Sequence, residues 1–391
     1  MMSAYQQRPL AGLHQSAVAL PQDYRPRRPA HFGVDRIYLA KGSLSSPERR
    51  RFLDGICALY PDAGVIECPD VPHNRIDLGV ADPLQRHRVG KRTLVLCEHR
   101  SAVRFAAEEG NTCPNYWHFS VYGYCPYDCA YCYLAGTPGV WFSPTVKIFV
   151  NLAEILRGID AVAGRADKET AFYLGKLQDG LALDPLTAYS TVLVPFFARH
   201  RWARQIILTK SAQVDRLLGL EHGGHTVLSW SVNPGEVART FEGNAPPVDD
   251  RISAMRRCAE SGYPVRAVLM PVIPVEGWRE RYRDFVRRLL SEVPLQRLTV
   301  GGICSYKNAR ALMERELGAS NCISGRMERV GKSQDGRLRY PAALRVDIYD
   351  CILDVVKEVR PDLELALCLE EPPVWNAVAE RHPIGRCNCI L

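Results

Sequence analysis

The chain has 391 residues, with 50 Lys and Arg against 43 Asp and Glu, a net charge of +7, and 14 cysteines. That length suits one large α/β domain with an appendage, or two domains, and buries enough apolar surface to stand without disulfides. The mild basic excess permits an anionic partner without demanding one, and no run of about 18 apolar residues reads as a membrane span. The first thirty residues hold no apolar leader segment, so a cytoplasmic protein with reduced thiols is expected.

In chain order, residues 1–32 are rich in Pro, Arg and Gln and read as an arm without periodic structure. Residues 33–110 read as a small α/β unit. Its strands are DRIYLAK, VIEC and TLVLCE, and its helix is SSPERRRFLDGICALYP, capped by Ser45 or Ser46 with Pro47 in the first turn. The runs Arg25, Arg27, Arg28 and Arg49, Arg50, Arg51 read as solvated charge.

From 111 to 375 the pattern alternates. Short apolar runs (HFSVYGY, AFYLGK, QIILTK, TVLSWSVN, VRAVLMPVI, LTVGGI, LELALCL) are separated by helical stretches. The stretches include NLAEILRGIDAVAG, AQVDRLLGLE, DDRISAMRRCAESG and WRERYRDFVRRLLSEV. Continuous apolar strands covered by helices indicate a parallel sheet. The fold class is α/β, a partial (β/α)6-type barrel, with an open doubly wound sheet as the alternative. Residues 376–391 form a tail ending in GRCNCIL.

The stretch CPYDCAYCY, residues 125–133, places Cys125, Cys129 and Cys132 in a C-x3-C-x2-C spacing after the first barrel strand. Strand ends on that side of a barrel carry chemistry. Three thiolates of one loop can hold three irons of a [4Fe–4S] cluster and leave the fourth iron open. Zinc bound by the same three cysteines and a remote Cys113 or His118 is the rival reading. Cys57, Cys97 and Cys351 sit in apolar runs and read as core.

The loop resembles the cluster motif of the radical S-adenosylmethionine (SAM) superfamily. GYCPYDCAYCYLAGTPG is similar, more narrowly, to the loop of the spore photoproduct lyase family, with tyrosines Tyr131 and Tyr133 flanking the last cysteine. VPHNR, KRTLVL, KIFVNLAEIL, ILTKSAQVDRLL and WSVNPGEVARTFE extend the likeness over residues 33–310. The resemblance implies a radical SAM barrel with a [4Fe–4S] cluster on Cys125, Cys129 and Cys132. It implies SAM as cofactor or co-substrate, cleaved reductively to a carbon radical, and an electron donor such as flavodoxin or ferredoxin. It places Lys210 near the SAM carboxylate, Ser231 and Asn233 at SAM polar groups, and Tyr131 and Tyr133 as a hydrogen-atom relay. The substrate is either a nucleic-acid lesion or a small molecule.

Where the family has a cysteine that returns a hydrogen atom to the thymine radical, FYLGKLQDG offers Lys176. An amine N–H is too strong to take that role. Cys387 and Cys389 of the tail are candidate replacement donors, with Cys368 upstream, or a site for a thiophilic ion or second metal. The tail loosely resembles that of radical SAM enzymes that move the aminocarboxypropyl arm of SAM onto arsenic. A non-enzymatic iron–sulfur or zinc protein binding nucleic acid is the remaining alternative. Asp179, Asp184, Glu276, Glu370 and Glu371 are further strand-end acids, with Asp184 read as a helix cap. RMERVGKSQDGRLR, residues 326–339, reads as a basic hairpin, solvated or contacting phosphate.

Overall fold

The computed structural model describes residues 20–21, 24–328 and 335–391. The strands, in chain order, begin with β1 (Arg36–Leu39), β2 (Gly64–Glu67), β3 (Thr93–Cys97), β4 (Val103–Ala106) and β5 (Tyr116–Phe119). Next come β6 (Tyr122–Gly123), β7 (Asp128–Cys129), β8 (Val146–Phe149), β9 (Thr170–Leu174), β10 (Ala203–Thr209) and β11 (Thr226–Ser231). The last are β12 (Glu242–Gly243), β13 (Val265–Leu269), β14 (Arg297–Val300), β15 (Cys304–Ser305), β16 (Leu338–Arg339) and β17 (Glu364–Leu367).

Two sheets result. The smaller has the order β2-β1-β3-β8-β6, parallel except for β6 at its edge. The larger has the order β17-β14-β13-β11-β10-β9-β5-β4, in which all but β4 run parallel. Its edges β4 and β17 do not meet, so the barrel is partial. The sheets do not divide the chain at residue 110. β4 lies before that point and joins the large sheet, while β6 and β8 lie beyond it and join the small one.

Local chemistry explains most elements. Ser46 caps helix Pro47–Cys57, accepting from the Arg49 N–H at 3.2 Å. The helix Leu152–Ala166 buries Leu152, Ile155, Leu156, Ile159, Val162 and Ala163 at helical spacing against the sheet. The expected helix in AQVDRLLGLE does not form. Residues 212–221 run as turns between β10 and β11, and Val214 and Leu217 are buried without helical periodicity. Asp184 caps a later helix than expected: its carboxylate takes the Ser190 N–H at 2.8 Å and the Ser190 hydroxyl at 2.7 Å, opening Ser190–Arg199.

The barrel interior is filled from an unexpected direction. In a parallel sheet every second residue faces inward, and paired residues form layers. Leu208, Ser229, Arg266 and Arg297 are consecutive partners across β10, β11, β13 and β14 and form one such layer. Both arginines are buried. They hold the C-terminal tail: Arg266 donates to the Ile390 carbonyl at 2.7 Å, and Arg297 to the Cys387 and Ile390 carbonyls at 2.8 and 2.9 Å. The Ser229 hydroxyl bonds the Asn388 side chain at 2.9 Å. The tail is thus no exposed terminus. Cys387 and Cys389 are 6% and 8% exposed and pack with Tyr116, Tyr173, Ile206 and Val227.

Beside β8, the rings of His73 and His99 meet at 4.9 Å and both touch Phe149. Burial, aided by neighbouring cations, pushes His73 down to about 4 and His99 down to about 3. Below the ordinary histidine value near 6.5 the unfolded chain takes up protons that the folded chain refuses. Stability is therefore whole above pH 6.5 and is lost as the pH falls toward 4. Urea unfolding midpoints at pH 7, 6 and 5 should decline steadily, and His99→Phe should flatten that decline. A midpoint constant over this range would show that the pair does not enter the fold neutral.

Candidate active site

The C-x3-C-x2-C loop leaves β6 and crosses the mouth of the large sheet. Its backbone is fixed at two points. The buried Lys91 ammonium donates to the Cys125 carbonyl at 2.8 Å and the Tyr127 carbonyl at 2.5 Å, and sits 3.9 Å from the Tyr124 ring centre. On the other side β7 pairs with β12, which sets Cys129 opposite Glu242. Burial pushes the Cys125 thiol up, and the Cys129 thiol up to about 12, with Lys91 and Lys210 opposing it. A bound metal would favour the thiolates that burial disfavours.

Sequence reasoning missed Glu242. It is 4% exposed and accepts from the Tyr131 hydroxyl and from Asn233 Nδ2 at 3.2 Å. It pairs with Arg251 at 2.6 Å and lies 3.9 Å from Lys210 Nζ. Burial alone would raise this carboxyl; Lys210, Arg251 and the Tyr131 hydroxyl outweigh it and hold it below the usual range. Nothing local distinguishes Glu242 in ARTFEGNAPP, since its partners lie in four separate segments.

A cavity of about 260 Å³ opens beside the loop. Cys125, Cys129 and Cys132 line it with Tyr131, Tyr133, Lys210 and Ser231. Lys210 Nζ donates to Ser231 Oγ at 2.7 Å, and the Lys210 N–H is held by Asp179 at 2.7 Å. Asn233 does not reach the cavity. Its amide is spent on Glu242 and on the Tyr282 hydroxyl at 2.9 Å. Asp179 reaches it, but its carboxylate also serves Thr209 and the Leu181 and Ala182 N–H groups. Tyr133 donates to the Lys176 carbonyl at 2.7 Å.

Cys113, Cys368 and Cys389 line the same cavity, and Cys387 lies behind them. Cys113 therefore belongs to this second thiol group and not to the loop. Lys176 stands at the end of β9 in the cavity wall, its ammonium 2.5 Å from Glu108. Glu370 is buried behind the wall in a pair with Arg345 and a 2.6 Å bond from Tyr349, and Glu276 is exposed. Of the basic hairpin, residues 329–334 lie outside the described residues; Arg337 and Arg339 turn inward, pairing with Asp335 at 3.1 and 2.5 Å.

The donor set fits the group that the motif implies: three thiols on one anchored loop, beside a cavity with a lysine and a serine at its far side. The family model of spore photoproduct lyase matches residues 34–303. The chain belongs to the spore photoproduct lyase family. It is 30% identical over 261 residues to the spore photoproduct lyase of Bacillus subtilis (strain 168), covering 66% of this chain and 73% of that one. It is 28% identical over 211 residues to the spore photoproduct lyase of Clostridium acetobutylicum, covering 53% and 60%. Among solved structures, a spore photoproduct lyase complexed with dinucleoside spore photoproduct matches with a TM-score of 0.74 at 22% identity, over 86% of this chain and all (100%) of that one. A variant of the lyase with bound AdoMet and dinucleoside spore photoproduct also matches at 0.74 and 22%, over 86% and 98%. The radical SAM fold expected from the loop is thereby established, with six connections between its seven parallel strands. No described helix is long and apolar enough to cross a membrane.

Proposed function

We propose that this spore photoproduct lyase relative is a radical SAM enzyme whose substrate, or whose reaction, differs from repair of the spore photoproduct. Cys125, Cys129 and Cys132 would hold the [4Fe–4S] cluster, which supplies one electron for cleavage of a C–S bond of SAM. Lys210 would take the SAM carboxylate, with Ser231 orienting the ammonium and Asn233 acting through Glu242. Tyr133 and Tyr131 would border the path of the radical, and a small external electron carrier would dock outside the loop.

The observation that carries the reading is Lys176. It occupies the strand end where the family resemblance calls for a hydrogen-donating thiol, and Glu108 holds its ammonium at 2.5 Å. A protonated amine has no weak bond from which to return a hydrogen atom. A small molecule is favoured over DNA because the tail fills the barrel beneath the cavity. The runner-up is lesion repair with Cys113 or Cys389 as hydrogen donor, favoured by their place in the cavity wall.

Reduced, reconstituted enzyme given SAM and dinucleoside spore photoproduct tests both. The expected result is SAM cleavage without dinucleotide repair. Repair that Cys389→Ser or Cys113→Ser abolishes would establish the runner-up instead. Methylthioadenosine as the cleavage product would mark transfer of the aminocarboxypropyl arm to an acceptor.

Removing the Lys210 cation should weaken SAM binding. A charge-assisted hydrogen bond contributes about 1.5–3 kcal/mol, so Lys210→Ala should raise the SAM Kd roughly 10- to 150-fold. Lys210→Arg should recover part of the loss. An unchanged Kd in equilibrium dialysis would remove Lys210 from the SAM site.

A further inference from the structure

Four cysteines distant in sequence converge inside the barrel. Cys113 precedes β5, Cys368 follows β17, and Cys387 and Cys389 come from the tail. Cys387 and Cys389 pack in one cluster with Cys113 against it, and Cys113, Cys368 and Cys389 line the same cavity. All four are free thiols. We propose that Cys113, Cys368, Cys387 and Cys389 form a binding site for one soft, thiophilic metal ion, separate from the C-x3-C-x2-C loop and facing the same cavity.

The surroundings are those of a built site. The tail that carries two of the ligands is held by Arg266, Arg297 and Ser229, and Arg297 also pairs with Glu364 at 2.8 Å. The Leu369 N–H donates to Cys113 Sγ at 3.3 Å, as it would to a thiolate. Asn388, between the two tail cysteines, is 2% exposed and lines the cavity, and its Nδ2 has no hydrogen-bond partner among the described residues. A donor left unsatisfied there can serve a thiolate sulfur. The two guanidiniums and Lys176 offset the negative charge that several thiolates would bring.

Donor chemistry selects the ligand class. A tetrahedral ion with metal–sulfur bonds of about 2.3 Å draws its sulfurs to about 3.8 Å from one another. A four-iron cluster spreads its cysteines further. Four thiols select zinc-like d10 ions over harder cations. Among the described residues neither this group nor the loop is already closed to metal-ligand geometry, so binding must draw the side chains together. Three of the thiols border the cavity, so the ion would lie beside whatever occupies it.

The test uses the full chain with Cys125, Cys129 and Cys132 all changed to Ala, so that the loop offers no thiols. Anaerobic titration with Cd²⁺ is followed by thiolate-to-metal charge-transfer absorbance and native mass spectrometry, with Zn²⁺ as competitor. One ion per chain is expected. Adding Cys387→Ser and Cys389→Ser should weaken it by more than the roughly 10- to 100-fold that outer-shell partners contribute. If that variant melts early, Cys113→Ala, which leaves the tail intact, must show the same loss. Cys57→Ser should change nothing. No bound ion, binding indifferent to these variants, or an intact mass showing a disulfide among the four would overturn the proposal. The experiment contains neither SAM nor reductant, so its failure leaves the proposed radical chemistry untouched, and failure of that chemistry leaves this site untouched.

Discussion

Glu242→Leu should destabilise the folded chain by about 3–5 kcal/mol, the range for removing one partner of a buried ion pair. The substitution leaves the Arg251 guanidinium, 1% exposed, without the carboxylate 2.6 Å away. It also frees the Tyr131 hydroxyl and Asn233 Nδ2. Desolvation makes the loss larger than any single hydrogen bond would suggest. Denaturant unfolding of the metal-free protein gives the number. Changing Arg251→Met as well should recover part of it, since no charge is then stranded. A loss below about 1 kcal/mol for Glu242→Leu alone would show that water reaches Arg251.

Lys91→Met should cost the loop its anchor. The buried Tyr127 carbonyl and the part-buried Cys125 carbonyl lose their donor, at up to about 1–3 kcal/mol each. The cation over the Tyr124 ring goes too. The consequence is local: the loop no longer presents its three thiols together. After reconstitution the variant should retain less than half of the wild-type iron, with a smaller effect on the unfolding midpoint. Full iron retention would mean that pairing of β7 with β12 suffices to hold the loop.

These two residues show where sequence reading reaches its limit. The thiol loop and the βα rhythm were legible because each is local: a fixed spacing, and apolar runs of strand length between helices. Lys91 and Glu242 were not, because Lys91 meets the loop across 34 residues of chain and Glu242 meets Tyr131 across 111. In the segment 212–221 the leucine spacing is helical, yet the chain runs as turns that bury Val214 and Leu217. The tail misled in the opposite sense. Its Cys-x-Cys lies near the end of the chain, yet Arg266 and Arg297 hold it inside the barrel. An arginine within VRAVL or RLTV, in strands otherwise apolar, is a buried charge that needs a partner. Asn233 illustrates a finer gap: its position at a strand end was legible, but its amide supports Glu242 and is shielded from the cavity.

The most direct test of the central claim is the product of SAM cleavage. The enzyme is reconstituted with iron and sulfide under anaerobic conditions, reduced, given SAM, and analysed by mass spectrometry beside a Cys129→Ala control. The expected result is 5′-deoxyadenosine from the wild-type chain and none from the control. Absence of any SAM cleavage product, or equal cleavage by the control, would contradict a radical SAM centre on this loop.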